Sequence, residues 1–242
     1  MFDLRIPITV ATVETIKTCL LGALPEVKSS HRVEAAARGL GFRTYAAMLH
    51  SAKFGGEVSR AIDGGQFASY LSEHGFVAEP VHFYRAVACV AVTAVMERVP
   101  KLSTFGYGFG QPQWNYEVKR WDTPQEMYAK FAEARAEFLF RGVLDEFLLA
   151  FAFVRRIPST KTIRSYAHSY RLKHIAEEMP FTCNDGTVLG PRYVSNGALI
   201  AAALHAGFKM KTYVDDLGYD YINVAFNMSK PRVNDFESEM RS

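Results

Sequence analysis

The chain has 242 residues, 49% of them hydrophobic and 22% charged, with a formal net charge of +3 at neutral pH. That composition excludes a disordered chain and supplies apolar surface for one large domain or two small ones. The mild basic excess excludes a protein that coats nucleic acid with its whole surface, so any polyanion footprint has to be local.

Three cysteines, Cys19, Cys89 and Cys183, show no paired spacing, which argues against a disulfide framework. Cys19 and Cys89 fall in apolar helical patterns, where a thiol serves as a small core residue. The opening residues carry Asp3 and no long apolar run, so they do not read as a signal peptide. No uncharged apolar stretch approaches a membrane span. A cytoplasmic protein without membrane contact is the expectation.

In chain order, "FDLRIPITV" reads as a short extended segment. Thr12 or Thr15 then starts a helix with Ile16, Cys19, Leu20 and Leu24 on one face, ended by Pro25. Two short helices follow. The first runs from about Ser30 to Arg38 with Ser30 as cap, and Thr44 caps the second after a break at Gly39-Leu40-Gly41. Gly55-Gly56 opens a new unit with a strand, a turn at Asp63-Gly64-Gly65 and a helix closed by Gly75. An apolar helix, "FYRAVACVAVTAVMERV", ends at Pro100.

Residues 101–122 are rich in glycine and aromatics and read as a long loop, with a strand at Tyr116 to Val118. A loop of that length is functional or a boundary. Thr123-Pro124 starts a helical stretch that breaks near Gly142. A helix is expected from Ile163 to Met179, stopped by Pro180. Another runs over 195–206, capped by Ser195 or Asn196, with Gly207 closing it and Phe208 packing back. Strands at 209–214 and 221–228 follow, with Ile222, Val224, Phe226 and Met228 on one face, and a polar, frayed tail after Pro231. The predicted class is α+β, mostly helical, with short strands and a C-terminal β-hairpin following a buried helix. The predicted parts are 1–100 and 123–242, with 101–122 as aromatic loop or linker.

Helix, loop, helix and hairpin over 163–228 is also the element order of a winged helix, with 195–206 as recognition helix. The connection 180–194 is too long for a compact helix-turn-helix, and "ALIAAALHA" offers no side chains for base edges. Leu199, Ile200, Ala203 and Leu204 describe a core helix instead.

The basic segment "KTIRSYAHSYRLKH" is the first candidate for nucleic acid. Lys161, Arg164, Arg171 and Lys173 attract phosphates, and Tyr166 and Tyr170 can stack on bases. The competing reading is an amphipathic helix with its tyrosines inward and its cations solvated. The second candidate is Arg43, Thr44 and Tyr45, at the start of the second helix of a tight pair; the competing reading is an ordinary helical hairpin. Phe105, Tyr107, Phe109 and Trp114 form a candidate protein interface.

Enzyme signals are poor: there is no GxxxxGK[ST], GxGxxG, HExxH, GxSxG or CxxC. His168 and His174 are spaced badly for a metal pair. Asp215, Asp216 and Asp220 could hold a cation or simply form a hairpin turn. No catalytic residue, cofactor or metal is assigned.

Two segments carry a resemblance. "PEVKSSHRVEAAARGLGFRTYAAML", with the pattern SHx₂Ex₃RxLGFxxY, resembles a helical segment of uncharacterised bacterial mobile-element proteins and, more loosely, one found beside glyoxalase-like domains. "SYRLKHIAEEM…LGPRYVSNGALIAAALHAGFKMK…NVAFNMSKP" resembles the C-terminal part of uncharacterised proteins of plasmids, integrative elements and phages. The resemblance implies DNA maintenance, transfer, regulation or anti-defence work and brings no catalytic residues. The expected function is a non-enzymatic nucleic-acid-binding accessory or regulatory protein of a mobile element. The alternatives are a module that inhibits or adapts a host protein such as a defence complex, and an unrecognised enzyme.

Overall fold

The computed structural model describes residues 2–55 and 58–241. Gly56 and Glu57, at the expected opening of the second strand-helix unit, lie outside the described residues. The elements are β1 (Arg5–Pro7), α1 (Val10–Ala23), α2 (Ser29–Gly39), α3 (Tyr45–Phe54), β2 (Ser59–Ala61), α4 (Gly64–Glu73) and α5 (Pro80–Arg98). They continue with β3 (Leu102–Ser103), β4 (Gly106–Tyr107), β5 (Trp114–Asn115), β6 (Arg120–Trp121), α6 (Pro124–Ala136), α7 (Arg141–Val154) and α8 (Ser169–Glu177). The last are β7 (Phe181–Thr182), β8 (Val188–Gly190), α9 (Asn196–His205), β9 (Met210–Lys211), β10 (Ala225–Phe226) and α10 (Lys230–Arg241). The class is α+β and mostly helical, and the strands among the described residues pair only in twos. Two compact units result: Met1–Thr93 with Thr182–Leu189, and Ala94–Phe181 with Gly190–Ser242.

In the first unit, Thr9 rather than Thr12 caps α1, accepting from the Thr12 N–H at 3.1 Å, and Thr12 is buried in the first turn. α2 starts at Ser29 behind Lys28, with no side-chain cap bond, so Ser30 is inside the helix. The small residues Ala35, Ala36, Ala37 and Gly39 bury its inner face. A methyl group on Gly39 would stand 2.5 Å from the Phe83 ring, which itself stacks on Phe67 at 5.0 Å. Asp63 caps α4 by accepting from the Gln66 N–H at 3.0 Å, so Asp63-Gly64-Gly65 begins a helix rather than a turn. Residues 182–189 are fastened by the Tyr84 hydroxyl, which donates to Asp185 Oδ2 at 2.5 Å. Burial and that bond together push the Tyr84 hydroxyl well above its ordinary pKa.

In the second unit, α9 is the core helix, packed against α7, α8, β3 and β4. Leu199, Ile200 and Ala201 to Ala203 are fully buried, while Leu204 at its end is half-buried. Ser195 caps it by accepting from Ala198 N–H at 3.3 Å. Its far end closes with Gly207 N–H on the Leu204 carbonyl at 3.2 Å and Phe208 N–H on the Ala203 carbonyl at 3.0 Å, the pairing of a Schellman motif. Thr123 and Glu126 form a capping box at the start of α6. The break before α7 falls at the extended Phe140, not at Gly142.

Four expectations change. α8 begins at Ser169 instead of Ile163, because 159–168 pairs with the end of the chain through bridges Ser159↔Met228 and His168↔Ala225. Tyr116 to Val118 is not a strand; it is the turn between β5 and β6. In the C-terminal hairpin, β9 and β10 pair over two residues each, and Val224 to Met228 are buried on both faces while Ile222 is exposed. The tail is not frayed: α10 buries Val233 and Phe236, with the Phe236 ring 5.3 Å from Phe153.

A candidate cationic surface and an aromatic hairpin

The cationic surface of the second unit is organised by one buried amide. Asn227 is 4% exposed. Its Nδ2 donates to the Thr160 carbonyl at 2.7 Å, and its Oδ1 accepts from the Lys209 N–H at 2.6 Å. A buried amide left unsatisfied is costly, so these bonds fix both neighbouring segments. They tie the backbone of Thr160, which precedes Lys161, and that of Lys209 to one side chain. Lys211 follows on β9, in register with Ala225. Lys230 lies 5.7 Å from the centroid of the Tyr166 ring, whose hydroxyl donates to the Met228 carbonyl at 2.6 Å. Arg164 sits in the same 159–168 segment, where its carbonyl accepts from Ala167 N–H at 3.2 Å.

Lys161, Arg164, Lys209, Lys211 and Lys230 are all exposed, and none forms an ion pair with a described residue. Sequence reasoning found the first two and missed the other three. The signal was "KMK" in an extended segment, which puts Lys209 and Lys211 on one face.

Arg171 and Lys173, the other half of the predicted basic segment, serve inside the unit. Arg171 donates to the Tyr166 carbonyl at 3.3 Å, to Asn234 Oδ1 at 3.0 Å and to the Glu237 carboxylate, tying α8 to α10. Lys173 is 7% exposed and donates to Glu177 Oε1 at 2.9 Å. Its ammonium lies 5.0 Å from the Tyr193 ring centroid and 5.6 Å from that of Tyr170. The expectation that both charges face solvent fails for Lys173. Burial alone would raise the Glu177 carboxyl, but Lys173, the Val194 N–H and His174 hold it below its ordinary pKa. Tyr170 is half exposed, against His174. His168 is engaged as the cap of α8, its Nδ1 accepting from Arg171 N–H at 3.2 Å.

In the first unit, Thr44 caps α3 by accepting from Ala47 N–H at 3.1 Å, and the Tyr45 N–H is taken by Glu34 Oε2 at 2.8 Å. Arg43 and Thr44 are exposed and Tyr45 is half-buried; Arg43, the one cation of the trio, forms no ion pair with a described residue. The outer face of α3 carries Ala46, Ala47, His50 and Lys53, which offers few groups for base edges.

The aromatic residues sort into three settings. Tyr107 is half-buried in β4, 6.0 Å from the Lys101 ammonium. Phe109 rests on Phe131, centroids 4.6 Å apart, and Phe105 is 59% exposed. Trp114 faces Trp121 across β5 and β6, with Tyr116 and Val118 exposed in the turn beyond. Trp121, Tyr116 and Val118 were not predicted as site residues; the hairpin register that groups them is invisible to composition. The glycines of "FGYGFG" serve packing: Gly106, at φ +136°, lies where a methyl group would stand 2.2 Å from the Ile222 carbonyl oxygen.

Two aspartates of "DDLGYD", Asp215 and Asp220, are engaged within the protein, and Asp216 is exposed. Asp215 Oδ1 accepts the Leu217 and Tyr219 N–H groups at 2.9 and 2.8 Å, and Asp220 pairs with Lys101 at 2.9 Å. Among the described residues no group of three or more His, Cys, Asp or Glu could hold a metal ion. No described helix is long and apolar enough to cross a membrane. No protein family, curated protein or solved structure matches the chain.

Proposed function

We propose that the second unit binds nucleic acid through phosphate contacts from Lys161, Arg164, Lys209, Lys211 and Lys230. The protein would act as an accessory or regulatory factor of a mobile genetic element, a context taken from the resemblance of its two segments. The observation that carries the reading is that five exposed cations without ion pairs stand on the three chain segments, 159–168, 209–211 and 225–230, that are joined at the buried Asn227. In a chain of net charge +3, such a local concentration is where a polyanion gains most, because each neutralised phosphate releases a condensed counterion.

The test is binding to labelled duplex and single-stranded oligonucleotides across a salt series. Lys161→Glu/Lys209→Glu/Lys211→Glu should lower the duplex salt slope by about 0.9 for each phosphate no longer neutralised. Arg43→Glu in the first unit should leave it unchanged. A wild-type protein with no salt-dependent binding to either probe overturns the reading.

A second reading, a module that inhibits or adapts a host protein, is favoured by the exposure of Trp114, Tyr116, Val118 and Trp121, since interfaces enrich aromatics. A hairpin variant that no longer captures one identified host protein would support it.

A further inference from the structure

The aromatic hairpin between Gln113 and Asp122 extends the phosphate-binding reading and rests on it. Both tryptophans of the chain, Trp114 and Trp121, lie here. They face each other across the strand pair, ring centroids 5.5 Å apart and planes at 77°. They are 39% and 60% exposed, and Tyr116 in the turn is 84% exposed.

The frame beneath these rings is firm. Asn115 Oδ1 accepts the Glu117 and Val118 N–H groups at 3.0 and 3.3 Å, fixing the turn. Asp122 N–H donates to the Gln113 carbonyl at 2.9 Å, and Gln113 N–H returns a bond to Asp122 Oδ2 at 3.2 Å. Lys130 donates to that carboxylate at 2.7 Å, and Arg120 grips Glu126 with two bonds of 2.7 Å. Exposed aromatic area on a preformed scaffold binds without paying for ordering.

The choice of occupant follows from charge. Of the hairpin's four ions, Arg120 and Asp122 are held in this frame, and the exposed Glu117 and Lys119 cancel in net charge, so the ligand's charge has to be met elsewhere in the unit. The cationic surface meets a negative one. The two regions belong to one bonded assembly: the turn that follows Lys211 and Tyr213 is held to the segment before the hairpin. Gln111 Nε2 donates to Asp215 Oδ2 at 2.6 Å, and Tyr107 N–H donates to the Ile222 carbonyl at 3.0 Å. A ligand that offers flat apolar rings on an anionic backbone satisfies both regions, and unpaired nucleotides have that chemistry. We infer that Trp114, Tyr116 and Trp121 form a stacking platform for unpaired bases, so the second unit prefers single-stranded nucleic acid to duplex.

Because both tryptophans sit in the hairpin, selectively excited tryptophan emission reads that site alone. Oligo(dT) should quench it saturably, whereas a duplex of equal length should bind by salt-dependent contacts without quenching. Trp114→Ala/Tyr116→Ala should weaken oligo(dT) binding on the order of tenfold per stacked base and leave duplex binding unchanged. Trp114→Phe, which keeps a ring, should retain most of the affinity, with circular dichroism confirming the fold of each variant. Salt-dependent binding without quenching, or equal affinity for both probes that the alanine variant does not alter, overturns the platform and leaves the phosphate reading standing. Loss of binding to an identified protein, with oligonucleotide binding intact, also overturns it and makes the hairpin a protein surface. Absence of any salt-dependent binding removes both readings.

Discussion

Asn227 and Thr160 hold one another through two hydrogen bonds of 2.7 Å, the Asn227 side-chain amide to the Thr160 carbonyl and the Thr160 N–H to the Asn227 carbonyl. This reciprocal pair joins the segment before α8 to the C-terminal strand. Asn227→Ala keeps the backbone bond and strands the Thr160 carbonyl and the Lys209 N–H. The expected cost is about 1–3 kcal/mol in urea unfolding, together with a reduced salt slope, because Lys161 and Lys209 lose their common anchor. A stability loss with the slope unchanged would show that the amide serves folding alone.

Lys173 and Lys161 lie in one basic stretch of sequence and should behave oppositely. Lys173→Glu sets a second carboxylate beside Glu177 in a buried site and should cost about 3 kcal/mol or more. Lys161→Glu, fully solvated, should change stability by no more than about 0.5 kcal/mol. Equal effects on the denaturation midpoint would contradict the burial of Lys173.

His168 predicts a pH dependence. Its Nδ1 accepts an N–H at the start of α8, which requires a neutral ring. Burial, and then the charge of Arg171, hold its pKa below the ordinary 6.5. The unfolded chain therefore binds the proton first. The stabilising contribution is complete above pH 6.5 and is lost as pH falls from there toward the depressed folded value. His168→Asn preserves a capping acceptor without titration, so it should lose less stability than wild type as pH falls below 6.5. Parallel profiles for the two proteins would exclude His168 as the cause.

Gly197 stands in the first turn of α9, where a methyl group would sit 1.9 Å from the Ser103 carbonyl oxygen. Helix propensity alone would favour Gly197→Ala by about 1 kcal/mol. The backbone clash should reverse that sign, giving a net loss of about 1–3 kcal/mol in thermal unfolding. A stabilised variant would mean that β3 yields to the helix.

Features that depend on neighbours within a turn or two were legible in the amino-acid order. Thr44, the Thr123-Pro124 start, a cap at Ser195 or Asn196 and the Gly207-Phe208 closure could be read because a cap is satisfied by an N–H or carbonyl a few residues away. The core role of α9 could be read because Leu199 to Ala203 leave no polar face. The start of α8 was settled by long-range pairing, because the Phe226 N–H takes the Ala167 carbonyl at 2.9 Å and the Val224 carbonyl takes the Ser169 N–H at 2.8 Å. The helical tail was settled the same way, through Phe236 against Phe153. The candidate site divided along the same line. Lys161 and Arg164 were visible as charges, but their company of Lys209, Lys211 and Lys230, the removal of Lys173 to Glu177, and the grouping of Tyr116 and Trp121 with Trp114 were not. Periodicity and propensity report what a residue does with its chain neighbours. Burial and charge pairing depend on partners distant in sequence, and those partners are chosen by packing.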